Sequence, residues 1–441
     1  MSTNHDIKIL LNIQDENISF ENNCVTDGVY KGNKCHFIEG KLTQHPTHCK
    51  VCGTVNKNYM IYKNGTQKSR ITIPAESVYP FYLILKKQRF FCKSCQSSFT
   101  METDFVEKHC FISNYTKTKV VVKSAEAQSI KDIAKDCRVS SHTVQREINK
   151  AAQSFKPAHK KLPKHLSFDE FKYAKGKMAF EYINVETGDI LDILEQRTKR
   201  TIKEHFMGNY SLKERKEVES VTIDMNAGYV SVIKEMFPKA DIIIDQFHLV
   251  QLINRSMNKI RIHVMNTLKT SNSEDMKKYR RLKRYWKLIL KSESDLSSTE
   301  YKYYRLFGQR LEAEVVQEMI QFDDTLYVNY QLYQTLLKAL QNRDYKLLEH
   351  TLQTTQHELT SNYMKTSMKT LKAHLPFIQN SFIYPFNNGR IEGINNKIKV
   401  LNRVAYGYRS FSNYKKRIML HFKFKAQETK SEQKKTHVKA S

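Results

Sequence analysis

The chain has 441 residues, enough for several domains, and carries 73 Lys and Arg against 45 Asp and Glu, a formal net charge of +28. Such a surface attracts polyanions, and 40% hydrophobic with 11% aromatic residues excludes a disordered polycation. With only 13 glycines and neither a GxGxxG nor a GxxxxGK(S/T) pattern, the sequence also argues against a dinucleotide-binding dehydrogenase and a P-loop ATPase.

Met1 to Leu10 is polar and lacks the apolar stretch of a signal peptide. The longest apolar runs, such as Val78 to Leu85, fall far short of the ~18 residues a membrane helix needs. The expectation is a cytoplasmic, nucleoid-associated protein with no membrane partner. In that reducing setting its eight Cys are metal ligands or buried thiols rather than disulfides.

The predicted organisation is multidomain α+β: an N-terminal segment at 1–44, a zinc ribbon at 45–112 and a helix-turn-helix at 113–158. A ribonuclease-H-like mixed sheet follows at 160–250 and 380–425, interrupted by an all-helical insertion at 251–379. A basic tail occupies 426–441.

In the ribbon, Cys49-Lys-Val-Cys52 and Cys92-Lys-Ser-Cys95 are two knuckles. Two thiolates at CxxC spacing reach one ion from a tight turn, and two such turns complete a tetrahedral Zn²⁺ site. The intervening Tyr59 to Tyr62 and Ser69 to Ile73 are expected to pair as a hairpin. His45 and His48 lie nearby as lesser ligand candidates. Cys24, Cys35, Cys110 and Cys137 show no pairing logic.

Ser129 to Asp136 reads as a short helix, Cys137-Arg-Val-Ser140 as a turn, and Ser141 to Lys150 as a second helix. With Val144 and Ile148 inward, the second helix would offer Ser141, His142, Thr143, Gln145, Arg146 and Lys150 to a major groove.

From His165 the pattern is β-β-β-α-β-α-β, the order of a ribonuclease-H-like domain. Glu186-Thr-Gly-Asp189 is a hairpin turn. Asp169 lies in the first strand and Asp224 ends the fourth, and in this fold those two strands are neighbours. Adjacent carboxylates repel, and divalent cations remove that cost. Two Mg²⁺ (or Mn²⁺) ions can hold attacking and leaving oxygens in line at one phosphorus. Glu392, at the start of a later helix, would complete the oxygen ligands. Asp245 ends another strand and is open to three roles: a ligand, a group orienting His248, or a helix N-cap. Glu170 and Glu181 rank lower.

Lys399 follows Glu392 by two helical turns and shares its face, with Asn395 and Asn396 between. Arg403, Arg409 and Arg417 continue a basic stripe suited to phosphate contacts. In the insertion, Lys277 to Lys291 interleaves cations, including Arg281 and Arg284, with Tyr279, Tyr285 and Trp286. Trp286 either stacks on an unpaired base or packs with Leu282, Tyr285 and Ile289.

Taken together, these motifs resemble insertion-sequence transposases of the DDE type, most closely the ISL3 family. The resemblance rests on the ribbon with Arg89-Phe-Phe-Cys-Lys-Ser-Cys95, the helix-turn-helix, Leu166-Ser-Phe-Asp-Glu-Phe171 and Thr222-Ile-Asp-Met-Asn-Ala-Gly-Tyr229. It rests further on Phe237 to His248, Asn388-Gly-Arg-Ile-Glu-Gly-Ile-Asn-Asn-Lys397 and Arg403-Val-Ala-Tyr-Gly-Tyr-Arg-Ser-Phe411. It implies Asp169, Asp224 and Glu392 as the catalytic triad, with Asp245-x-x-His248 as an accessory element. It also implies double-stranded DNA, as element ends and target, as partner of a homodimer or higher oligomer. The competing expectations are a non-catalytic DNA-binding repressor and a nuclease without strand transfer.

Overall fold

The computed structural model describes residues 3–74, 77–153, 161–225, 227–355 and 357–423. It divides into two units, residues 1–156 with 397–441, and residues 157–396. The Lys-rich tail at 426–441 lies outside the described residues.

The first unit opens with helix α1 (Thr3–Leu10) and a sheet of β1 (Ile18–Tyr30), β2 (Asn33–Leu42), β3 (Ile61–Thr72), β4 (Phe81–Cys92) and β5 (Ser97–Thr100). The strand order is β1-β2-β4-β3, with β5 also on β4. β1 and β2 form a hairpin closed by Lys31 (φ 49) and Gly32 (φ 78). Two positive φ values in a two-residue loop match the right-handed twist of the strands it joins. The expected pairing of 59–62 with 69–73 is not found. Those residues fall largely within the single strand β3, whose antiparallel partner is β4. Residues 18–42 are not an isolated segment either, because β2 runs parallel to β4.

Three helices follow: α2 (Asn114–Ala125), α3 (Ile130–Asp136) and α4 (Ser141–Gln153). The hydroxyls of Ser113, Ser129 and Ser140 accept hydrogen bonds from the backbone N–H groups of Thr116, Asp132 and Thr143. Each thereby satisfies an otherwise orphaned donor at a helix start. Val120, Ile133, Ala134, Cys137, Val144 and Ile148 form their core, and Leu420 completes it. Leu420 comes from a helix over 411–423. In that helix Arg417, 1% exposed, donates to the carbonyls of Glu126 (2.9 Å) and Gln128 (2.8 Å). Residues 397–423, assigned with the catalytic sheet on sequence grounds, therefore build the helix-turn-helix unit, and Arg417 is no member of a surface stripe.

The second unit contains β6 (His165–Ala174), β7 (Lys177–Asn184), β8 (Ile190–Leu194), α5 (Lys199–Asn209), α6 (Leu212–Arg215), β9 (Ser220–Ile223), α7 (Ala227–Met236) and β10 (Asp241–Ile244). The sheet order is β10-β9-β6-β7-β8. β6, β7 and β8 are antiparallel, while β9 is parallel to β6 and β10 to β9. This is the mixed sheet expected from the chain order, with first and fourth strands adjacent. Phe168, Phe180, Tyr182, Phe206 and Phe237 fill its core.

The long α8 (Gln246–Thr267) leads into α9 (Ser273–Arg284) and α10 (Trp286–Ile289). A small ladder of β11 (Lys302–Tyr304) with β12 (Gly308–Arg310) interrupts what was expected to be purely helical. α11 (Glu312–Ile320), α12 (Asp324–Gln341), α13 (Tyr345–Thr354) and α14 (Asn362–Ala373) complete a separate apolar core. α15 (Leu375–Ile383) returns the chain to β10. There Asn380 donates to the Ile242 carbonyl (2.9 Å) and the Ser381 hydroxyl accepts from the Ile244 N–H (3.2 Å). Side chains thus satisfy the open edge of the sheet, and α16 (Gly389–Val404) starts from that anchor.

Candidate active site and metal centre

The ribbon knuckles close as their spacing predicts. Cys49 Sγ lies 3.7 Å from Cys95 Sγ and Cys52 Sγ lies 3.8 Å from Cys92 Sγ. All four sulfurs fall within 4.8 Å of one another. A tetrahedron with metal–sulfur bonds of about 2.3 Å places its sulfurs roughly 3.8 Å apart, so this cluster can hold a metal such as zinc. The first knuckle turns through Gly53 (φ +74), whose N–H donates to the Cys49 carbonyl (3.0 Å). Thr54 Oγ1, 3.1 Å from Cys52 Sγ, is the main cause that draws that thiol down to about 6, toward the thiolate a metal requires. His48 pairs with Thr47 Oγ1 (3.0 Å) and is outside the cluster.

In the second unit the register of β6 and β9 aligns Ser167 with Thr222. Two residues further along each segment stand Asp169, within β6, and Asp224, just beyond the end of β9, and the charge of Asp224 reaches Asp169. Asp169 is half-buried and is pushed up to about 6. Burial is the main cause and the charge of Asp224 adds to it. The Glu170 N–H (2.7 Å to Oδ1) and the Asn395 side-chain amide (2.8 Å to Oδ2) oppose it.

Glu392 stands in the first turn of α16 and is exposed. Asp245, at the start of α8, is buried and raised by that burial, with Glu392 adding a like-charge contribution. It stands at the N-cap position of α8 without a side-chain cap hydrogen bond, although the Phe247 backbone N–H acts to lower its pKa. It accepts from the Asn388 N–H (3.4 Å) and lies 4.0 Å from His248 Nε2. The Asn388 side chain in turn accepts from the Ser167 hydroxyl (2.8 Å). Asn388 and Asn395 therefore fix α16 to β6 and α8 around the acidic residues. Among the described residues, the three carboxylates expected as a triad do not close into a group within 4.8 Å, as the cysteines do.

Glu181 is directly opposite Asp169 on β7 and is fully buried, with neither carboxylate oxygen hydrogen-bonded. Burial, then the charge of Asp169, pushes it far above the carboxylate range. Glu170 is engaged elsewhere, in an ion pair with Arg197 and a hydrogen bond from Tyr229 Oη (2.9 Å).

Residues 166–418 match the model of the ISL3 family of DDE transposases, described as "Transposase". The chain belongs to the ISL3 family of DDE transposases. It is also 25% identical over 352 residues, 75% of its length and 79% of the relative's, to the "Transposase for insertion sequence element IS1001" of Bordetella parapertussis. A 109-residue stretch is 40% identical to a Lactococcus lactis subsp. lactis protein named "ATP-dependent protease". That match spans a quarter of this chain and about a third (34%) of the relative.

The DNA-facing residues expected of such a transposase are unevenly disposed. On α4, Ser141, His142 and Arg146 are exposed and Gln145 is half-buried. Thr143 is buried at 7% exposure, its hydroxyl 3.0 Å from that of Ser140, so it builds the helix start and is not offered to a groove. Lys150 is exposed but paired with Glu107 (2.9 Å). Lys399, Arg403 and Arg409 are exposed. In the insertion, Arg281 is a structural clamp: it pairs with Glu318 (2.6 Å), donates to the Leu306 carbonyl (3.0 Å) and lies 4.3 Å from the Phe307 ring centroid. Arg284 is exposed, and Trp286 is half-buried with the Lys287 ammonium 5.8 Å from its ring centroid. Leu282 and Ile289 enter the helical core and Tyr285 packs against it.

Among the described residues, no helix is long and apolar enough to cross a membrane.

Proposed function

We propose that the protein binds the terminal inverted repeats of an insertion sequence and catalyses metal-dependent cleavage and transfer of its DNA ends. Asp169, Asp224 and Glu392 act as carboxylate ligands, and Asp245 with His248 supports them. The observation that carries this reading is the parallel register of β6 with β9, which aligns Ser167 with Thr222 two residues before Asp169 and Asp224, with Asp169 raised to about 6 by burial and by the charge of Asp224. Two acids held together in a half-buried place are costly in the absence of a cation.

Hard oxygen donors of this kind suit Mg²⁺ or Mn²⁺. Bound there, such ions would supply charge neutralisation at a phosphodiester and a more acidic water. The Asn395 amide fixes the orientation of Asp169 by occupying one of its oxygens. In cleavage, a water oxygen bonds to phosphorus as the P–O3′ bond breaks, and the water proton ends on the released 3′-OH. In transfer, the oxygen of that 3′-OH bonds to a target phosphorus as the target's own P–O3′ bond breaks, and its proton ends on the released target 3′ oxygen. Both are in-line displacements, so one arrangement of carboxylates serves both. The ribbon holds structural Zn²⁺, and ribbon and helix-turn-helix bind the element ends as a homodimer or higher oligomer in the cytoplasm. Ser141, His142, Gln145, Arg146 and Lys150 would reach the groove, and Arg284, Trp286, Lys399, Arg403 and Arg409 the backbone or bases.

The test is a plasmid carrying the insertion sequence that encodes this chain, with end cleavage read on gels and end binding by mobility shift. Asp169→Asn and Glu392→Gln should abolish cleavage and leave binding within about twofold. Cleavage at parental rates in either variant would refute the triad.

A further inference from the structure

The turn after α16 holds an aromatic ring that neither backbone geometry nor packing explains. Tyr406 is 96% exposed. It also sits at φ 55, a region where bulky side chains are outliers. The turn is a helix-ending motif in which the Gly407 N–H reaches back to the Asn402 carbonyl (2.9 Å) and the Tyr406 N–H to that of Arg403 (3.0 Å). The left-handed position in such a motif is normally glycine, yet here glycine comes one residue later. A Tyr at that position meets a backbone penalty and recovers nothing from burial.

The turn itself is rigidly held. The Tyr408 and Tyr414 rings stack with centroids 4.6 Å apart and planes at 20°. Tyr414, 1% exposed, donates to the Ile398 carbonyl (2.8 Å). One tyrosine is thus pinned inward while another, two residues earlier, is held out, with the exposed Arg403 and Arg409 to either side. The turn belongs to the same unit as the helix-turn-helix.

We propose that Tyr406 is a base-stacking contact, which takes an unpaired or unstacked nucleobase of DNA while Arg403 and Arg409 hold the adjoining phosphates. The charge fits a polyanion and the flat ring fits any base face, so the contact is tolerant of sequence. The proposal rests on the DNA-acting reading above and adds a substrate feature to it: distorted or single-stranded DNA over paired duplex.

The full chain would be titrated against a paired duplex and the same duplex with a short mismatched bubble containing 2-aminopurine. With the parent protein, bubble emission should be quenched on binding and bubble affinity should exceed duplex affinity. Tyr406→Phe should keep both features. Tyr406→Ala and Tyr406→Gly should lose the quenching and roughly tenfold in bubble affinity, the order of one stacked base, with duplex affinity nearly unchanged. Tyr406→Gly relieves the backbone and should melt no lower than the parent, so it carries the test should the Ala variant misfold. Unchanged quenching in Tyr406→Gly would overturn the assignment alone. Failure of the parent to bind either duplex would overturn the DNA reading and this assignment with it.

Discussion

In the ribbon, four sulfurs lie within 4.8 Å of one another, whereas Asp169, Asp224 and Glu392 stay outside any such cluster. The difference follows from charge and from chain distance. Two knuckles joined by the antiparallel β3–β4 pair bring the four thiols together. Ionised carboxylates repel, and these three come from β6, the end of β9 and the start of α16, elements set by long-range pairing. A closed, saturated ligand set suits a structural metal, and an open one leaves room for water and substrate.

The largest expected effect tests the closed cluster. Cys92 is fully buried, and Cys92→Ser or chelation should unfold the ribbon, since structural zinc contributes on the order of 10 kcal/mol. Limited proteolysis should cut within 45–112 while β6 to β10 stay protected. Persistent protection of the ribbon after verified metal loss would place its stability in the β1–β5 core instead.

Asp169 offers the converse. Its pKa is about 6 in the folded protein against an ordinary value of 3.8. The folded chain therefore binds that proton more tightly than the unfolded chain. The associated stability is present below pH 4 and lost as pH rises through 6. At pH 8 Asp169→Asn should then stabilise the protein by up to about 3 kcal/mol, while at pH 4 the advantage should vanish. Mg²⁺ should raise the Tm of the parent more than that of the variant. An Asn variant that melts lower at pH 8 would mean that the ionised carboxylate is already compensated.

How far these features could be foreseen depended on chain distance and burial. The two CxxC spacings and the β-β-β-α-β-α-β order are local patterns, and they led to the thiol cluster and to the adjacency of β6 and β9. The parallel pairing of β2 with β4 left no such mark, because residues 33–42 carry no motif. Arg417 reads as part of a basic stripe continuing from α16, and Leu420 carries no motif. Their burial depends on α2, α3 and the turn between them, nearly 300 residues away along the chain (291 and 289 residues for the two Arg417 bonds). Glu181 reads as a lower-ranked alternative among the carboxylates, and its burial and register opposite Asp169 emerge only in the fold. Leu420→Ala tests the discontinuous core: truncating this fully buried side chain should cost roughly 3 kcal/mol and weaken DNA binding without touching DNA.

The smallest effect concerns charges that are neither clustered nor buried together. Glu107 bridges Lys150 (2.9 Å) and Lys117 (2.9 Å), and hydrogen bonds from these two lysines, Lys150 first, hold its carboxyl down at about 2. Lys150 is largely exposed, at 62% of its side chain, whereas Lys117 is buried at 9%. Glu107→Gln keeps an acceptor for Lys117 but removes the negative charge, so only Lys150 becomes available to a phosphate. The exposed pair with Lys150 contributes about 0–1 kcal/mol, so any fall in melting temperature should come from the buried Lys117, which loses its counter-charge. Affinity for DNA should rise, and the slope of log K against log salt should steepen by about one, the signature of one further counterion released. An unchanged slope would mean that Lys150 is turned away from the DNA and that the basic character of α4 acts through Arg146 instead.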